Sequence, residues 1–190
     1  MKYKLTDKSM TLPNGTVLFQ IQALKNIPNV CEKNDLGGWI KSDKNLSQTD
    51  SCWVSDNAWV SDNARVYDNA WVGGKAYVSD NAHVSGDANV HGKAHVYGKA
   101  LVSGNAHVYG KAMVYGNAQV YGKAIVYGNA QVYGDTQVSG HAKVYVPINF
   151  NCDFNPWKMI QEIIGIKENL PRLLGIHPDM DKIIEQKLKN

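Results

Sequence analysis

Valine stands at position 54 and at every sixth position after it through Val144, sixteen in an unbroken series. Two residues before each valine sits a small residue, Cys52 first and then alanine from Ala58 to Ala142, with Thr136 the one departure. Pairs such as Asp56-Asn57, Gly98-Lys99 and Gly116-Asn117 separate the units. In one unit, Ala118-Gln119-Val120-Tyr121-Gly122-Lys123, residues two apart on a strand face the same side. Ala118 and Val120 therefore point inward together, and Gln119 and Tyr121 point out. β-Branched valine suits a pleated buried surface. Glycine, asparagine and aspartate tolerate the left-handed backbone of a sharp corner. One unit cannot bury its own valine, so successive coils must stack with their strands paired in parallel.

The motif V-x-G-[NK]-A-x resembles the hexapeptide repeat of left-handed parallel β-helix proteins, over residues 52–146. The resemblance implies three hexads per triangular coil and a left-handed path, which the general preference for right-handed parallel crossovers would not give. Trp39-Ile40 and Leu46 continue the period toward the N-terminus, with two surplus residues before Val54. Residues 38–51 thus read as a degenerate first coil carrying a bulge. The expected fold is an all-β solenoid: an N-terminal β-hairpin cap over residues 1–37, the left-handed β-helix over 38–146, and a C-terminal α-helical segment over 147–190.

The ends need covering because open strand edges invite aggregation. Pro13-Asn14-Gly15 between two alternating stretches predicts the hairpin turn. Together with the DLGGWI stretch (35–40), this opening resembles phage-encoded and bacterial hexapeptide-repeat proteins described as acyltransferases. Beyond Pro147 the period stops. Asn155-Pro156 predicts one helix through Ile160, Ile163 and Ile164, and Pro178 another with Met180, Ile183, Ile184 and Leu188 on one side. Those stripes pack on the prism or a neighbouring subunit, or recruit another protein.

Charged residues are 19% and the net charge is +3, with no long basic run, which argues against a nucleic-acid polymer as partner. Three widely spaced cysteines match neither a disulfide framework nor a metal-ligand spacing. With no leader-like or membrane-length apolar stretch, the expected location is the cytoplasm.

Residues 18 apart stack directly when three hexads make a coil. Tyr97, Tyr115 and Tyr133 then form one outward column, and Tyr109, Tyr127 and Tyr145 another on an adjacent face, while Lys75, Lys93 and Lys111 share a corner. His91 and His107 lie on one face in adjacent coils, too few for a metal site without a partner subunit. Aromatic columns of this extent exceed what a monomer usually exposes. They are either subunit contacts or, with the lysines, a place to meet the phosphates of a nucleotide-like ligand.

The resemblance implies a homotrimer. Within it we expect no catalysis, no cofactor and no metal, but capture of a small anionic, nucleotide-like ligand at intersubunit clefts by these tyrosines, lysines and histidines. A phage protein of this kind would sequester a host signal. The resemblance also supplies an enzyme alternative: a coenzyme A-dependent acyltransferase using His91 or His107 as base. Such enzymes usually interrupt their coils with a loop that builds the acceptor pocket, whereas the register here is unbroken from Val54 to Val144. The third alternative is a structural trimeric spacer.

Overall fold

A computed structural model describes residues 1–145, and the expected C-terminal helices lie outside the described residues. Strands β1 (Tyr3–Thr11) and β2 (Val17–Ala23) form an antiparallel hairpin. Its turn is closed by the Gly15 amide donating to the Leu12 carbonyl at 2.9 Å. Strand β3 (Leu36–Ile40) pairs antiparallel with β2 on one side and parallel with the first repeat strand of its face on the other. This single strand converts the hairpin into the solenoid. Its glycine pair answers to crowding: a Cβ on Gly38 would lie 2.6 Å from the Ala58 carbonyl oxygen and 2.7 Å from the Val54 side chain.

Sixteen two-residue strands follow, β4 (Trp53–Val54) to β19 (Lys143–Val144), each beginning six residues after the one before. They sort into three parallel sheets. The first face runs β3, β5, β8, β11, β14, β17; the second β6, β9, β12, β15, β18; the third β4, β7, β10, β13, β16, β19. Leu46 bridges to Val66 and supplies the second face of the first coil. Among the described residues, seventeen strands from β3 onward and this bridge make eighteen sides, hence six triangular coils.

Register is set by valine over valine, as in Val96 opposite Val114, and by a backbone ladder such as the Tyr97 amide donating to the Val114 carbonyl at 3.0 Å. The alanines and valines are sealed from water through Val132, while Val138 and Val144 in the last coil reach 6% and 8% exposure. Each corner takes a left-handed backbone, on aspartate at Asp56, Asp62, Asp68 and Asp80 and on glycine elsewhere from Gly74 to Gly140. Asp56, Asp68 and Asp80 add a bond that glycine lacks: the Asp80 carboxylate, for one, accepts from the Gly98 amide of the next coil at 2.9 Å.

The N-terminal end is stoppered. The fully buried Lys2 ammonium donates to the Thr49 carbonyl (3.0 Å) and the Cys52 carbonyl (2.7 Å), and lies 3.1 Å from the Cys52 sulfur. Tyr3 donates its hydroxyl to the Leu46 carbonyl at 2.7 Å. Burial holds the Tyr3 proton far above the usual phenol range. Burial also pushes the Cys52 thiol up, opposed by the hydrogen bond and charge of Lys2. Among the described residues no helix is long and apolar enough to cross a membrane.

Candidate binding surface

Each coil carries two outward side chains per face, one before and one after the valine. On the first face the positions after valine run Ser61, Ser79, Tyr97, Tyr115 and Tyr133, each one coil above the last. The rings of Tyr97 and Tyr115 stack at 4.8 Å and 1° from parallel, and those of Tyr115 and Tyr133 at 5.1 Å and 13°. These spacings match the ~4.8 Å separation of paired strands, so the backbone itself sets the ladder. Burial, with Tyr115 and Asp80 nearby, raises the Tyr97 hydroxyl; burial and Tyr133 raise that of Tyr115. The Tyr115 hydroxyl donates a hydrogen bond to Gln131 Oε1 at 3.4 Å.

On the third face a longer ladder begins at histidine. His91 stacks on Tyr109 at 5.0 Å, Tyr109 on Tyr127 at 5.4 Å, and Tyr127 on Tyr145 at 5.6 Å. Trp71 lies across the lower end, 6.2 Å from His91 and tilted by 41°. Burial first, and then the charge of His107, lowers the His91 pKa. Its Nδ1 sits 2.9 Å from Asn89 Oδ1. His107 is exposed on the same face one coil on, where it pairs in register with Asn89.

Lys75, Lys93 and Lys111 project from the corner that leads from the third face to the first. Their amides donate to the glycine carbonyls one coil above, at 2.6 Å for Lys75 and 2.7 Å for the other two. Among the described residues the only ion pair joins Lys41 to Asp62, at 3.4 Å, which leaves these three ammonium groups without a carboxylate partner.

The candidate residues therefore separate into two groups. His91 stands two residues before Lys93, and Tyr109 two before Lys111, so the third-face ladder runs beside the lysine corner. The Tyr97–Tyr115–Tyr133 ladder leads instead into the opposite corner of the first face, where Lys99, Asn117 and Asp135 sum to no net charge. Within both ladders the ring faces are occupied by one another. What points outward is ring edges and hydroxyls, both electropositive or donating.

Two features escaped the reading of the sequence. One is a second aromatic run on the first face, with Trp59 3.9 Å from Tyr77 and Tyr77 4.5 Å from His95 by ring centroids. The 18-residue spacing already contained it. The other is a groove of about 410 Å³ beside the first-coil bulge, lined by Thr49, Asp50, Arg65 and Tyr67 among others. Trp53 pairs in register with Trp71, but its ring is buried and meets Tyr3 edge-on at 6.4 Å. No three histidine, cysteine or acidic side chains gather among the described residues in a way that could hold a metal ion.

The family model described as the YdcK beta solenoid repeat matches residues 58–74 and 118–134, each about one coil of the prism. Comparison with curated proteins finds no match. The family match and the stacked coils together make this chain a β-solenoid repeat protein.

Proposed function

We propose that the chain is a non-catalytic binding protein, a homotrimer of left-handed hexapeptide solenoids that holds a small anionic ligand where two subunits meet. The ligand lies along the corner between the third and first faces. The observation that carries this reading is the ladder of His91, Tyr109 and Tyr127 beside Lys93 and Lys111, ammonium groups with no carboxylate partner among the described residues. Stacked rings cannot take a base between them, so the ligand meets hydroxyls and ring edges, and its phosphates meet the lysines as point charges. Similarity to phage-encoded solenoids gives the reading a concrete form, sequestration of a nucleotide signal.

Calorimetric titration with adenine and guanine nucleotides, and with inorganic phosphate, tests it. The double variant Tyr109→Ala with Lys111→Ala should lose about tenfold or more in affinity, equivalent to about 1.4 kcal/mol. Gln119→Ala on the second face should bind as the parent does. Undiminished binding by the double variant would sink the reading.

A second reading, the structural spacer, draws on the Tyr97–Tyr115–Tyr133 ladder. Its rings are filled by one another and its adjoining corner is neutral, which suits contact between subunits more than capture of an anion. Acyl transfer would instead require turnover of acetyl coenzyme A that is lost on replacing His91 or His107.

A further inference from the structure

The solenoid departs from its period once among the described residues, at the two surplus residues between Leu46 and Val54, and the groove lies at that departure. We propose that this groove, on the second face and apart from the lysine corner, is a binding site for a neutral sugar. Insertions in stacked repeats leave on one face and commonly form the binding face. Here the inserted stretch walls one side, with Asp50 at φ 56° making the bend and its carboxylate accepting from the Thr49 hydroxyl at 2.8 Å. Arg65, Tyr67 and His83 wall the other.

Three properties of that lining select the ligand. The first is charge. Asp43 and Lys44 cancel, and Arg65 offsets one of Asp50 and Asp68, so the groove has a balance of about one negative charge and no excess of cations. Asp68 already accepts from the Gly86 amide at 2.9 Å. An anion finds three carboxylates there, whereas a polyhydroxylated neutral molecule finds carboxylate acceptors and guanidinium donors together.

The second property is the Tyr67 ring. Its column neighbours one coil below and above are Ser47 and Ser85, so no stacked aromatic covers it as one covers Tyr109. His83 meets it near perpendicular, 88° at 6.0 Å, and holds its orientation. A half-buried ring with no parallel aromatic neighbour in its column, and with the negative quadrupole of its face, suits the C–H face of a pyranose. The third is Arg65, exposed and without an ion pair among the described residues, whose planar fork is free to donate to ring and hydroxyl oxygens.

The test is a 1H–15N NMR titration of the full chain. The probes are glucose, galactose, mannose, N-acetylglucosamine and their common disaccharides, with inorganic phosphate as the charged control. The expected result is saturable movement of the amides of residues 47–50 and 65–68 with at least one sugar, weakened about tenfold in Tyr67→Ala. Should that variant unfold, Arg65→Gln, altered at an exposed side chain, serves in its place. The proposal is overturned if no sugar moves those amides, if phosphate moves them and sugars do not, or if the folded variant binds as tightly as the parent.

Discussion

At the scale of single residues the prism distinguishes two kinds of glycine that look alike in sequence. Gly15 and Gly98 both have a positive φ, 83° and 72°. A Cβ on Gly15 would meet nothing within 4 Å, whereas one on Gly98 would come within 2.9 Å of the Gly116 amide nitrogen of the next coil. Gly15→Ala therefore bears only the left-handed backbone cost, about 1 kcal/mol. Gly98→Ala adds displacement of a stacked coil and should lose roughly 2–3 kcal/mol in a urea unfolding series. Equal losses would mean the corners are not packed as described. The inward residues were legible because burial selects an aliphatic residue, mostly valine, and a small one two places before it at fixed spacing. Trp53 was not, since its period marks it as outward and the cap that buries it comes from Tyr3, fifty residues earlier.

Elements show the same division between what repeats and what does not. A coil touches its two neighbours through three short parallel ladders, so stability should grow roughly coil by coil. Removing residues 99–116 deletes one full turn and joins equivalent corners, Gly98 to Asn117. The shortened chain should fold with the same circular dichroism and a lower melting temperature, and a failure to fold would contradict coil-by-coil additivity. The cap follows different rules, because its buried groups titrate. Tyr3 and Cys52 hold their protons more tightly in the fold than at their ordinary values of 10.0 and 9.0. Stability drawn from them is full below those values and falls as pH rises through the raised folded ones. Tyr3→Phe should accordingly lose less stability than the parent between about pH 9 and about pH 11, measured by thermal melts. The surplus residues after Leu46 were readable as a bulge. The groove they border was not, because it needs Arg65 and Tyr67 brought opposite by a coil still to come.

For the whole molecule, the six coils turn a one-dimensional pattern into faces and corners, and the candidate sites follow from which column adjoins which corner. The columns could be counted from the 18-residue spacing. The pairing of the His91–Tyr109–Tyr127 ladder with Lys93 and Lys111, and of Tyr97–Tyr115–Tyr133 with a neutral corner, follows from the two residues that separate each ring from the corner its strand leads into. That pairing underlies the claim of an anion-binding trimer. Native mass spectrometry of the full chain, purified quickly from the cells that express it, tests the claim most directly. The expected result is a trimer carrying about three additional masses in the nucleotide range, in line with three equivalent clefts in a closed ring. A bare chain that also fails to retain added nucleotides, whatever its assembly, would contradict it.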